Sequence, residues 1–169
     1  MSRFQILPLT KQHDRSLFSC GNDELDTYLV QHASQDLKRK VAAVFVLTEH
    51  DSLQIKGYYT LSATTLLLSD LPKNLQKKLP KYPSLPATLI GRLAVDNSLQ
   101  GEGIGKRLLV NALYRAWSLS SEIASMAVIV EAIDDDAVLF YKHFHFLPFQ
   151  GYPDKLFIPM KEVQQLVTH

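Results

Sequence analysis

With one cysteine, Cys20, the chain has no partner for an intrachain disulfide and no thiolate cluster for zinc, and no metal is expected. It lacks an apolar run of membrane-spanning length and an N-terminal apolar segment of the secretory kind. Neither a membrane partner nor export is therefore expected, and the cytoplasm is the expected location. An excess of one charge is also missing. A formal net charge of +1 excludes a chain that binds polyanions through bulk charge, so any contact with nucleic acid must come from a local patch. Two phosphate-binding signatures are absent as well: neither G-x-G-x-x-G with a downstream acid nor G-x-x-x-x-G-K-[ST] occurs.

What remains is an ordinary globular composition, 46% hydrophobic and 21% charged over 169 residues, which predicts a single domain spanning 1–169 with room for a substantial core. Its centre is the stretch from Leu89 to Lys106. An apolar strand, Leu89–Val95, runs into a loop with glycine at 101, 103 and 105, and from Ile104 the apolar residues Leu108, Leu109, Ala112, Leu113, Ala116 and Trp117 recur at helical spacing. Glycines let a backbone approach a ligand closely, and the free N–H groups of a helix start favour an anion. Lys106 adds a positive charge in the first turn. The segment reads as a phosphate cradle, with a plain surface turn as the competing reading.

Phe4–Leu9 predicts an opening strand. Gly21–Leu29 predicts a helix with a capping candidate and acids in its first turn, followed by a second short helix over Ser34–Lys40 whose Lys38, Arg39 and Lys40 complement the helix dipole. Val41–Leu47 and Ile55–Ala63, separated by His50-Asp51-Ser52, predict an antiparallel hairpin. Leu71–Pro86 holds Pro72, Pro80, Pro83 and Pro86 together with Lys73, Lys77, Lys78 and Lys81. It reads either as a solvated connection or as a basic surface for a phosphate backbone. Met126–Val130 predicts a strand buried on both faces, Ala137–Phe144 a short helix, and Leu156–Met160 a last strand before a terminal turn or helix over Glu162–Val167. The order β-α-α-β-β-β-α-β-α-β describes an α/β sheet rather than a regular βαβ repeat.

Gln100-x-x-Gly103-x-Gly105 after a strand resembles the Q/R-x-x-G-x-G/A loop of the GNAT family of N-acetyltransferases, and Asp134-x-x-Ala137-x-x-x-Tyr141-x-x-x-His145-Phe146 resembles that family's N-x-x-A-x-x-x-Y-x-x-x-G-F helix. Asp134 departs from the usual asparagine and His145 from a glycine; His145 is expected to adopt a positive φ, which histidine tolerates better than most side chains. The resemblance implies a mixed, mostly antiparallel sheet splayed at a cofactor wedge, with helices on both faces. It implies acetyl-CoA as cofactor, held by Leu93, Ala94, Val95, Gln100, Gly101, Glu102, Gly103, Ile104, Gly105, Lys106 and Asp134. Tyr141 is implied as the acid that protonates the departing thiolate, against a plain core tyrosine as the alternative.

No general base stands out. Glu131 and Asp96 are candidates, and a site without a base suits an α-amine, whose reference pKa of about 7.7–8.0 leaves it partly unprotonated near neutrality. Cys20-Gly21-Asn22-x-x-Leu25-x-x-Tyr28-Leu29, Gly57-Tyr58-Tyr59-Thr60-Leu61, Gly91-Arg92-Leu93-Ala94-Val95-Asp96-x-Ser98-Leu99-Gln100-Gly101 and Phe140-Tyr141 together resemble the tRNA-acetylating toxins of bacterial toxin–antitoxin pairs. That resemblance implies acetylation of the α-amine of an aminoacyl-tRNA, a block of translation, a ribbon-helix-helix antitoxin and a homodimer. Lys73, Lys77, Lys78, Lys81, Arg92 and Arg115 are the expected tRNA surface. Two other readings stay open: an acetyltransferase of a small amine or protein N-terminus, and a non-catalytic acyl-CoA-binding module.

Overall fold

The computed structural model describes residues 2–168. Its strands β1 (Phe4–Pro8), β2 (Ala43–Glu49), β3 (Gly57–Leu67), β4 (Ser84–Val95), β5 (Ala127–Glu131), β6 (Leu147–Phe149) and β7 (Tyr152–Pro159) form one mixed sheet in the order β1-β2-β3-β4-β5-β7-β6, with β4 and β5 parallel. The chain divides into two compact units, Met1–Ser62 with Gly91–Ala112 and Ala63–Ile90 with Leu113–His169. Strands β3 (Gly57–Leu67) and β4 (Ser84–Val95) and helix α4 (Ile104–Leu119) each contribute residues to both. Among the described residues no helix is long and apolar enough to cross a membrane.

In the first unit, β1 (Phe4–Pro8) pairs antiparallel with β2 (Ala43–Glu49), and β2 pairs with β3 from Ala43↔Leu61 to Leu47↔Gly57, the hairpin that the β-branched and aromatic runs predict. Asn22 caps α1 (Asp23–Thr27), its Oδ1 accepting from Leu25 N at 3.0 Å, and three acids follow in the first turn. The sequence predicts a break before Ser34; the structure has none. A π-helical segment, Tyr28–His32, joins α1 directly to α2 (Ala33–Lys38), because no glycine or proline interrupts the run. The Leu29 carbonyl in this segment accepts from Arg15 Nη1 at 3.0 Å. The run stops where Lys40 turns to φ 63°, and Lys38, Arg39 and Lys40 are solvated. Leu9, Phe18, Leu25, Tyr28, Leu29, Ala33, Val44, Val46, Ile55, Tyr58 and Ala94 form this unit's core.

In the second unit, β4 pairs with β5 (Ala127–Glu131) from Thr88↔Val128 to Ile90↔Val130, and β5 pairs antiparallel with β7 (Tyr152–Pro159). Residues Ala127–Val130 are buried throughout, as a continuous apolar run requires. A three-residue strand that the sequence reading omits, β6 (Leu147–Phe149), completes the sheet against β7 with a register shift at Pro148/Phe149. The connection before β4 is shorter than the proline content predicts. Strand β4 starts at Ser84 and runs through Pro86, whose carbonyl accepts from Met126 N at 2.9 Å, while Leu85 and Ala87 join a core with Leu66, Leu71, Ile129, Phe149 and Phe157. Between Leu71 and Ser84 lies one helical turn, α3 (Lys73–Gln76). Helices α5 (Asp135–His143) and α6 (Met160–Thr168) complete the unit.

Candidate active site

The glycine loop lies in the first unit, between the end of β4 and the start of α4. Gly101 and Gly103 adopt φ of 82° and 78°, a region costly for any side chain, and a Cβ at either would meet nothing within 4 Å. Backbone conformation, and not crowding, selects glycine here. Gly101, Glu102 and Gly103 are exposed, so the surface of the loop is open to a ligand. Arg107 N donates to Gly103 O at 3.2 Å, which fixes the first turn of α4 and leaves the amides of Ile104, Gly105 and Lys106 without a partner inside the helix. Together with the helix dipole and the exposed Lys106, these amides make a site suited to phosphate.

Gln100 shapes the loop through its side chain. Its Nε2 lies 3.0 Å from Cys20 O, 3.3 Å from Val95 O and 3.1 Å from Asn97 Oδ1, so a motif residue expected at the cofactor also ties the loop to the segment before α1. Asp96 makes a second tie to that segment. Buried at the end of β4, it accepts from Ser19 N (3.0 Å) through Oδ1 and from Ser98 N (3.0 Å) and Ser98 Oγ (2.6 Å) through Oδ2. Burial raises its pKa, but the hydrogen bonds from Ser98 and Ser19, with Lys56 nearby, outweigh burial and hold the carboxyl below its ordinary value. A carboxylate so occupied is a poor proton acceptor. Glu131, the other candidate base, is exposed at the end of β5.

Leu93 and Val95 are half-buried and Ala94 is buried, in the part of β4 beyond the last β5 register pair. Arg92 is half-buried in the same strand, its guanidinium carbon 3.5 Å from the centroid of the Tyr28 ring. Cys20 is half-buried, and burial foremost, then Asp26, pushes its thiol up to about 11, which makes it an inert neighbour and not a nucleophile.

The second unit carries the remaining predicted residues. Asp134 is the N-cap of α5, its Oδ1 accepting from Ala137 N at 2.8 Å, and aspartate serves this role as well as the family's asparagine. Seven residues on, Tyr141 is buried with its ring 5.3 Å from the centroids of both Phe140 and Phe146. Burial alone raises its pKa, which keeps the phenol protonated across the physiological range. His145 has φ 72°, the positive value expected of a residue standing where the family has glycine. Lys73, Lys77, Lys78 and Lys81 are all exposed around α3, with Lys81 Nζ 3.4 Å from Gln76 O, and Arg115 is half-buried on α4.

Residues 22–146 match the acetyltransferase (GNAT) family. The chain belongs to the GNAT family. Among curated proteins it is similar to a tRNA-acetylating toxin of Mycobacterium tuberculosis, 32% identical over 154 residues covering 91% of this chain and 90% of the relative. Among solved structures this GNAT chain is similar to AtaT complexed with acetyl-methionyl-tRNAfMet, at 34% identity, TM-score 0.90, covering 96% of this chain and 98% of that one. It is also similar to a tyrosine-to-phenylalanine AtaT mutant bound to the C-terminus of the antitoxin AtaR and acetyl-CoA, at 29% identity and TM-score 0.84, covering 99% and 100%.

Two features of the candidate site escape sequence reasoning. The stacking of Arg92 on Tyr28 joins residues far apart in the chain and leaves no local signature. The carbonyl partners of Gln100 are equally invisible, because only the folded loop brings Cys20 and Val95 to it.

Proposed function

We propose that this chain is an acetyl-CoA-dependent N-acetyltransferase acting on the α-amino group of aminoacyl-tRNA, a toxin that blocks translation. The observation that supports this most directly is the near full-length likeness to tRNA-acetylating toxins together with an open glycine loop on a helix start. The loop's residues fit acetyl-CoA: positive-φ glycines clear of side chains, partnerless amides at the head of a sixteen-residue helix, and Lys106 beside them. In this reading Gln100–Lys106 hold the pyrophosphate, the backbone of Leu93–Val95 lies along the pantetheine arm, and Asp134 serves by fixing the start of α5. Acetyl-CoA supplies an acetyl thioester whose transfer to an amine leaves a thiol.

Tyr141 donates the proton that the departing sulfur takes up, and the tyrosinate recovers one from the nitrogen that has gained the acetyl group, so the phenol is unchanged over the cycle. Burial keeps the phenol protonated, and the same apolar surroundings destabilise a bare thiolate, so the proton passes to the sulfur as the carbon–sulfur bond breaks. The engagement of Asp96 in three hydrogen bonds favours a substrate that needs no enzymatic base, and an aminoacyl ester amine meets that condition. Lys73, Lys77, Lys78, Lys81, Arg92 and Arg115 supply the tRNA surface. A single catalytic domain over 1–169, a homodimer, a ribbon-helix-helix antitoxin as inhibitor and action in the cytoplasm complete the proposal.

The test is transfer of labelled acetyl from acetyl-CoA to charged tRNA, with uncharged tRNA and Tyr141→Phe as controls. Label confined to charged tRNA and reduced about 100-fold or more in the variant is the expected result. If charged tRNA stays unlabelled while the protein still binds acetyl-CoA, the reading fails and small amines and peptide N-termini come next.

A further inference from the structure

The most unusual side-chain contact in the first unit involves Arg92. Its guanidinium lies 3.5 Å above the Tyr28 ring, a full stacking distance, where cation–π contacts count out to about 6 Å. The ring beneath is fixed. Tyr28 is 5% exposed, it lies nearly parallel to Tyr58 with centroids 6.3 Å apart, and its hydroxyl donates to Asp36 Oδ2 at 2.8 Å. Tyr58 is held in turn by its own hydroxyl, which donates to Leu25 O at 2.7 Å. Burial first, then the Asp36 hydrogen bond, push the Tyr28 hydroxyl up to about 12 against the pull of Arg92, so the platform remains a neutral phenol.

Among the described residues no acid lies within ion-pair distance of Arg92, and Asp36 is engaged with Tyr28. A half-buried cation with no acid partner is costly unless an external anion completes it. Stacking covers one face of the guanidinium and leaves its in-plane N–H edge to receive that anion, an edge whose fork geometry matches two phosphate oxygens. The glycine loop already provides an amide-lined phosphate site in this unit, so a second phosphate source is the better assignment for Arg92.

We propose that Tyr28, anchored by Asp36, is a positioning residue that presets the Arg92 guanidinium to bind a phosphodiester of the tRNA substrate. This rests on the aminoacyl-tRNA reading above. Presetting matters because an unstacked arginine must give up side-chain freedom on binding, and a stacked one has already done so.

Three measurements test this on the full-length protein: binding of charged tRNA without acetyl-CoA, binding of acetyl-CoA alone, and steady-state KM and kcat for both substrates. Arg92→Lys keeps the charge but loses the fork, and should raise KM for aminoacyl-tRNA about tenfold or more while leaving acetyl-CoA binding unchanged. Tyr28→Leu removes the platform and should approach the same loss, with kcat at saturating tRNA retained. The double variant Tyr28→Leu/Arg92→Lys should be no worse than Arg92→Lys, because Tyr28 acts only through Arg92. Tyr28→Phe and Asp36→Asn, milder changes that keep the fold if Tyr28→Leu does not, should raise that KM about two- to fivefold, and the Phe variant should remain better than the Leu variant.

Unchanged tRNA binding in folded Tyr28 variants overturns the positioning role. Losses that add in the double variant do the same. A loss that falls on acetyl-CoA instead reassigns the phosphate to the cofactor and overturns the proposal as stated. If the wild-type protein acetylates no charged tRNA, the aminoacyl-tRNA reading itself falls and this inference falls with it, an outcome separate from a wild-type enzyme whose Tyr28 variants are unaffected.

Discussion

Replacing Asp96 with alanine is expected to lower the unfolding free energy by about 2–4 kcal/mol, although no reacting group is removed. The carboxylate accepts from two backbone amides and one hydroxyl at the point where β4 leaves the sheet. Orphaning a buried amide costs about 1–3 kcal/mol, and because Ser19 and Ser98 are themselves exposed, each amide recovers part of that from water, which sets the lower half of the range. In a chain of this length each kcal/mol moves Tm by about 2–4 °C, so a fall of about 5–15 °C should appear on thermal unfolding. Ser98→Ala, which removes the 2.6 Å hydroxyl bond alone, should cost no more than about 1 kcal/mol.

The same carboxylate predicts the sign of a pH effect. Its hydrogen bonds hold the folded-state pKa below the ordinary carboxyl value, so its contribution is complete above about pH 4 and declines as pH falls through the folded-state value. The gap in stability between wild type and Asp96→Ala should therefore be constant around neutrality and narrow only in acid. Because Asn97 N in turn donates to Ser19 O at 2.7 Å, loosening this tie should also raise KM for acetyl-CoA. An alanine variant that unfolds within about 0.5 kcal/mol of wild type, or a gap that widens in acid, would refute the role assigned to Asp96.

Three further outcomes follow from other positions. His145→Gly should raise stability by about 0.5–1 kcal/mol in urea unfolding, because φ 72° strains histidine more than glycine's added unfolded-state entropy costs; a destabilised variant would point to a side-chain contribution that outweighs the strain. Asp134→Ala should cost about 1 kcal/mol through loss of the α5 cap while Asp134→Asn should be nearly neutral, and equal losses in the two would deny the cap its importance. Exchanging Lys73, Lys77, Lys78 and Lys81 for glutamate should weaken tRNA binding and flatten its salt dependence by up to about 0.7–0.9 for each phosphate no longer neutralised, with acetyl-CoA binding unchanged; an unaltered slope in filter binding would remove these lysines from the tRNA surface.

The parts of this fold legible in the sequence are those in which neighbouring residues cause the structure. Gly101 and Gly103 before a helical repeat make an open loop on a helix start, with Gly105, expected in that loop, already in the first turn of α4; alternating aromatic and β-branched runs around a polar turn pair as a hairpin, and an acid two turns before Tyr141 caps the helix that carries it. His145 belongs to the same class, since its backbone angle follows from the turn it occupies.

Where the local signal misleads, a tertiary cause has overridden it. Pro86 argues for a connection, yet Leu85 and Ala87 on either side of it are needed in the core, and the proline's carbonyl is used by Met126 while its missing N–H is tolerated near the strand start. The helix from Asp23 to Lys38 is expected in two pieces and instead runs through a π segment that brings Tyr28 under Arg92. The glycine loop is therefore concentrated in one readable segment, whereas Tyr28 and Arg92, the pair proposed to meet the tRNA backbone, come from segments far apart in the chain. The phosphate contact proposed for Arg92 can then change through Tyr28 or Asp36 with the glycine loop untouched, which is why the loop identifies the reaction and is silent on the acceptor.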